Sequence, residues 1–166
     1  MSVDTDLIKL YSPRILALAA DISLTDRLQA PMARVKCRAP LCGSAVTVEL
    51  DVKDNRISRF GQDVKACALG QASAALMAQS IIGRTLPEVE AARDTLKAML
   101  KDGGPPPGSP FPGYDVLEPA RDYKNRHASI MLALEATALA MAELDSGRVV
   151  ERGVVRGPAD GGAGGC

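Results

Sequence analysis

Residues 46 to 52, VTVELDV, alternate strictly between apolar and polar side chains. Val46, Val48, Leu50 and Val52 face one way, and Thr47, Glu49 and Asp51 the other, which is the pattern of a half-buried strand. KDNR, residues 53 to 56, has the composition of a turn, and ISRF, residues 57 to 60, resumes strand character. ARVKCR, residues 33 to 38, reads as a third strand. Short strands in sequence, joined by tight turns, favour an antiparallel sheet.

Elsewhere the apolar period is helical. TDLIKLYSPRILALAADIS places Leu7, Leu10, Tyr11, Ile15 and Leu18 near one face, with Asp4 or Thr5 as N-cap. Pro13 interrupts it, so a kink or a second helix start is expected there. Residues 22 to 32 read as a connection. ACALGQASAALMAQSIIG is alanine-rich, with Leu69, Leu76, Met77 and Ile81 on one side and Gly83 as its C′ residue. In TLPEVEAARDTLKAML, Thr85 and Glu88 have capping-box spacing and Pro87 sits in the first turn, so a helix runs to about Lys101. A Pro/Gly-rich loop, DGGPPPGSPFPG, follows, then a short helical piece and a long helix from about Arg126 to Leu144. Strands and helices are segregated, which predicts α+β: a small, roughly three-stranded antiparallel sheet with helices packed on one face. Residues 1–145 read as a single domain and 146–166 as a flexible Gly-rich tail with little to bury.

Composition narrows the function classes. Lys+Arg and Asp+Glu are both 20, aromatics are 3%, and there is no Trp, which argues against nucleic-acid binding. Read from the sequence, no stretch approaches the ~18 apolar residues of a membrane span. MSVDTDLIKL lacks a basic region followed by an apolar one, so it is not read as a secretory signal, and a cytoplasmic location is expected. In that compartment Cys37, Cys42, Cys67 and Cys166 are expected as free thiols or metal ligands rather than disulfides. The chain has no CxxC pair, no GxSxG and no phosphate loop, and one histidine leaves no second base. These absences speak against an enzyme.

Three residues remain as candidate chemistry. Cys42 precedes the strongest strand, in PLCGSA. Cys67 stands at the start of the alanine-rich helix, where unpaired amide N–H groups favour anions. His127 stands at the mouth of the last helix, in RDYKNRHASIML. Thiolates with imidazole suit zinc or iron–sulfur chemistry.

PLCGSAVTVELDV, ACALGQASAALMAQSIIGRTLPE and RHASIM, in that order, resemble the N-terminal-NifU or IscU-like family of iron–sulfur cluster assembly scaffolds. The family pattern is C-G-D before a strand, then G-C opening a helix of small residues, then H-C-S or K-C-A at the last helix. The opening LYSPRIL is also similar to the family's first helix, so the resemblance runs over roughly residues 7 to 145. It implies the family's three-stranded sheet covered by helices. It implies a transient [2Fe–2S] cluster, built with sulfur from a cysteine desulfurase and passed to acceptor or carrier proteins, with zinc able to bind the same residues. It places the ligands at Cys42, Cys67 and His127.

Three positions depart from the pattern. Ser44 stands for the aspartate, Ala128 for the late cysteine and Ala66 for a glycine; an alignment to the K-C-A form instead puts His127 at the cysteine. The L-P-P-V-K segment of some members is replaced by EPARDYK. A four-ligand site then needs another group: Asp122, Ser44, Cys37, solvent, or a partner's cysteine, as in a homodimer around a shared cluster. The runner-up reading is a zinc-binding module that docks on or regulates a desulfurase without building clusters.

Overall fold

The computed structural model describes residues 9–40, 43–146 and, for the backbone alone, 155–156. The elements are α1 (Pro13–Ala20), β1 (Ala33–Ala39), β2 (Ser44–Lys53), β3 (Arg56–Lys65), α2 (Ala68–Ser80), α3 (Leu86–Asp102), a 3-10 segment (Tyr114–Asp122), α4 (Lys124–Asp145) and β4 (Val155–Arg156). The sheet order is β3-β2-β1-β4, with β1, β2 and β3 antiparallel and the helices on one face. The two-residue β4 lies parallel to β1, so part of what reads as tail lines the sheet edge, where β1 has backbone groups to pair.

The period-two pattern becomes the core directly. Val46, Val48 and Leu50 are fully buried, as are Ala33 and Val35 on β1. Lys53 pairs with Arg56, leaving Asp54 and Asn55 as a two-residue turn with φ of 54° and 63°. Both lie in the left-handed region that hairpin turns need and that Asp and Asn tolerate. Strand β3 runs past Phe60 to Lys65, further than ISRF suggests, because β2 offers it partners as far as Ala45.

Glu49 corrects the simple alternation. It faces the side away from the helices, yet it is only 4% exposed. The connection before β1 runs across that face: Arg27 Nε donates to Glu49 at 3.1 Å, Leu24 O accepts from the Gln62 amide at 2.8 Å, and Gln29 O accepts from Arg59 at 3.0 Å.

Helix α1 starts at Pro13, with Ser12 as N-cap accepting from the Ile15 amide at 3.3 Å, so the proline marks a fresh start. Asp4 and Thr5, proposed as caps, and Leu7 lie outside the described residues. Gly83 takes φ +85° just beyond α2. Helix α4 also corrects an expectation. It is long and apolar enough to cross a membrane, but 67% of that stretch is buried within the fold. It packs on α2, α3, β1 and β2, and a helix apolar on nearly all sides is what a central position requires.

The capping box of α3 is complete: Thr85 N donates to Glu88 Oε1 at 2.9 Å and Glu88 N to Thr85 Oγ1 at 3.4 Å. The Thr85 amide, opposed by partial desolvation and assisted by the Thr85 hydroxyl, Arg84 and Arg56, holds the Glu88 carboxyl below its ordinary value of 4.5. Stability from a depressed carboxyl is complete above the unfolded value and is lost as pH falls through the lower folded one. The stability gap between the unmodified chain and Glu88→Gln will therefore close on acidification below about 4.5, checked by urea unfolding across pH. Thr85→Ala will cost about 1 kcal/mol in the same assay.

Tyr114 is fully buried, and its hydroxyl has no hydrogen-bond partner among the described residues. Burial pushes that hydroxyl above the ordinary phenol range. An unpaired buried hydroxyl costs about 1–3 kcal/mol, so Tyr114→Phe will raise the thermal midpoint, measured by circular dichroism.

Candidate functional site

Three elements converge at one end of the sheet. Ser44 begins β2, Cys67 is the N-cap of α2, and Ser129 lies in the second turn of α4. Ser129 Oγ donates to Ser44 Oγ at 3.0 Å, and Cys67 Sγ lies 3.5 Å from Ser129 Oγ. With the Ser129 proton on Ser44, the Cys67 thiol donates to Ser129. A thiolate there would instead accept the Ser129 proton, so the same hydroxyl suits either form of the sulfur. Both serines are buried, at 3% and 1% exposed, whereas Cys67 is half-buried and a free cysteine. The sulfur thus sits at a rim, backed by a buried hydroxyl pair.

This meeting depends on a missing side chain. A Cβ on Gly70 would collide with Ser129 Oγ and would lie 2.8 Å from Ala66 Cβ. Glycine in the first turn of α2 lets α4 approach closely enough for Ser129 to reach both Cys67 and Ser44. One turn further on, Ser73 Oγ donates to Ile130 O at 2.6 Å and ties the two helices together.

His127 is placed differently. It is buried at 7% exposure, and its Nε2 lies 2.9 Å from Ala120 O and 3.0 Å from Arg121 O. A carbonyl only accepts, so Nε2 carries the proton and donates to the 3-10 segment. In the neutral ring Nδ1 then holds the lone pair, and any metal bond would be made there. Two residues along a helix are about 200° apart, so the His127 ring and the Ser129 hydroxyl leave α4 on opposite sides. The hydroxyl faces Cys67; the proton-bearing side of the ring faces the 3-10 segment.

The remaining candidates separate. Asp122 is exposed at the end of the 3-10 segment. Ala128 packs, partly buried, against the core. Cys37 corrects the expectation of reduced thiols. It points inward from β1, is 2% exposed and is disulfide-bonded. In that oxidised state it has no thiolate to offer a metal. Cys42 and Cys166 lie outside the described residues. Among the described residues no three His, Cys, Asp or Glu side chains form a metal-holding group. Ser129 is the residue that sequence reasoning missed. It was visible only as the serine of RHASIM, with nothing local to mark it.

Comparison with known proteins now fixes the family. The model of the NifU-like N terminal domain matches residues 20–130. This chain belongs to the NifU-like N-terminal domain family. A NifU-like protein (N-terminal) from Brucella abortus, solved by crystallography, is 41% identical, with a TM-score of 0.83 over 85% of this chain and 98% of that one. A protein from Fervidobacterium islandicum AW-1, named for a scaffold role in iron–sulfur cluster assembly by the SUF system, shares the fold. It is 18% identical, with a TM-score of 0.69 over 81% of this chain and 98% of that one. Comparison with curated proteins finds no match. The family assignment agrees with the resemblance carried by PLCGSAV, ACALGQAS and RHASIM, and the fold agrees with the expected antiparallel sheet and its helices.

Gly70→Ala will destabilise the fold by about 1–3 kcal/mol, because the added methyl overpacks a rigid helix contact. It will also raise the rate at which a maleimide labels Cys67, since Ser129 must withdraw from the sulfur. Denaturant unfolding and mass spectrometry of the labelled chain check the two effects.

Proposed function

We propose that this chain is a scaffold for iron–sulfur cluster assembly, holding iron and sulfide as cargo and handing the cluster to acceptor proteins. Its membership of the NifU-like N-terminal family carries the reading, because Cys42, Cys67 and His127 all fall within the matched residues 20–130. Cys67 suits such a role as a free thiol at a rim, in contact with a hydroxyl that serves its protonated and ionised forms alike. His127 would join through Nδ1 only after its ring turned towards Cys67, since Nε2 is engaged with Ala120 and Arg121 and the ring leaves α4 on the side away from Ser129. The cargo expected is a transient [2Fe–2S] cluster, with zinc as a competitor for the same residues.

The fourth ligand is the open position. Ser44 is hydrogen-bonded to Ser129, and a neutral alcohol is a weak donor to iron, so the hydroxyl pair shapes the pocket rather than closing the coordination sphere. Asp122, solvent or a second chain completes it, and completion by a second chain would make the loaded protein a dimer. Sulfur would come from a cysteine desulfurase. The chain turns over no substrate; it receives a cargo and releases it, which an incompletely ligated site favours.

Anaerobic reconstitution with iron and sulfide tests this. The unmodified chain will develop the absorption of an iron–sulfur cluster together with acid-labile sulfide, and Cys42→Ala and Cys67→Ala will each abolish both. Zinc uptake with no cluster, together with faster turnover of a desulfurase, would move the function to a docking or regulatory module. A colourless, sulfide-free protein that takes up no metal would overturn both readings.

A further inference from the structure

The sheet face turned away from the helices carries a concentration of positive charge beside the site. Strand β1 sends Ala33, Val35, Cys37 and Ala39 inward, so Arg34, Lys36 and Arg38 share the outer face. The register aligns Arg38 with Ala45 and Ala45 with Lys65 in one row, and Lys36 with Thr47 and Thr47 with Asp63 in the next. Neighbouring strands lie about 4.8 Å apart and same-face residues about 7 Å apart along a strand, so these side chains occupy one small area.

The charges on this face are unequally paired. Glu49 and Asp51 are engaged by Arg27 and Arg59. None of Arg34, Lys36, Arg38 and Lys65 makes an ion pair among the described residues, and Asp63 is the one acidic side chain in the two rows that hold Lys36, Arg38 and Lys65. Three cations, Lys36, Arg38 and Lys65, thus face one carboxylate in these rows, on a chain whose formal charge is zero, while Arg34 lies one row further on, opposite Glu49.

We propose that this outer face is the docking surface for an acidic segment of the protein that delivers sulfur to the site. The inference rests on the scaffold reading for the partner's role, but not for the surface itself. Lys65 precedes Cys67 by two residues, so a segment held on Arg38, Lys36 and Lys65 brings its owner to the rim where the free thiol lies. A protein segment fits better than a nucleic acid. The two rows contain no aromatic side chain to stack a base, and Asp63 stands among the cations where a continuous phosphate backbone would be repelled. Complementary charge of this kind acts mainly on encounter and orientation, and salt weakens it.

The test compares the unmodified chain with Lys36→Glu/Arg38→Glu/Lys65→Glu, with the charge-neutral Lys36→Gln/Arg38→Gln should the triple variant fail to fold, and with Lys97→Glu/Lys101→Glu on α3 as control. Two readouts run in parallel: cluster formation from iron and inorganic sulfide, and cluster formation driven by a cysteine desulfurase and cysteine. The expected result is unchanged assembly from inorganic sulfide. The desulfurase concentration needed for half-maximal assembly will rise roughly tenfold in the triple variant and stay the same in the control. Poly-L-glutamate will inhibit the desulfurase-driven reaction of the unmodified chain, and less so at high salt. Equal desulfurase dependence in all chains would overturn the proposal. If the unmodified chain forms no cluster even from inorganic sulfide, the scaffold reading fails. Anisotropy of labelled poly-L-glutamate then decides the surface: about tenfold weaker binding to the triple variant upholds it, and equal binding refutes it. Tighter binding of a duplex DNA of equal total charge through the same three residues would also refute it.

Discussion

The close contact between α2 and α4 is the constraint on which the site depends. Gly70 removes the side chain that would hold the helices apart, and Ser73 closes the gap with a hydrogen bond to the backbone of Ile130. At that separation Ser129 reaches Cys67 on one side and Ser44 on the other, linking the start of β2, the cap of α2 and the second turn of α4 through two hydroxyls and a thiol. Small residues are the means: the buried face of α2 is mainly Ala, Gly and Ser, so backbone and short polar groups meet where larger side chains would intervene. Close packing leaves little room for adjustment, and the position of the sulfur is fixed by the core beneath it.

The same packing divides the roles along α4. Ser129 and Ile130 turn towards α2, while His127 donates to the carbonyls that end the 3-10 segment. The histidine thereby fastens the irregular segment to the helix and leaves Nδ1 as its free lone pair. A residue that reads as a simple ligand has a structural bond as well, and that bond determines which nitrogen is left for chemistry. The serines stand in a comparable relation to the sulfur, holding it from behind and leaving its outer side at the rim.

Much of the scaffold was legible in local sequence. The alternation of VTVELDV, the KDNR turn and the Thr85–Glu88 box each specify their conformation through residues within a few positions of one another. Motif order carried the family in the same way, with PLCGSAV, ACALGQAS and RHASIM in sequence. The burial of Glu49 was not legible, because its cover comes from Arg27, 22 residues earlier. Nor was the interior place of α4, since an apolar helix of that length reads alike for a core and for a bilayer.

Residue order alone therefore specified the elements, their caps and turns, the α+β class and the family, because these rest on short-range geometry and on residue types at fixed spacing. Three-dimensional packing selected which side chains meet. Ser129 joins Cys67 across 62 residues and Ser44 across 85, His127 turns to the 3-10 segment, and Cys37 sits disulfide-bonded in the core. Those outcomes follow from helix separation, strand register and burial, which no local pattern encodes.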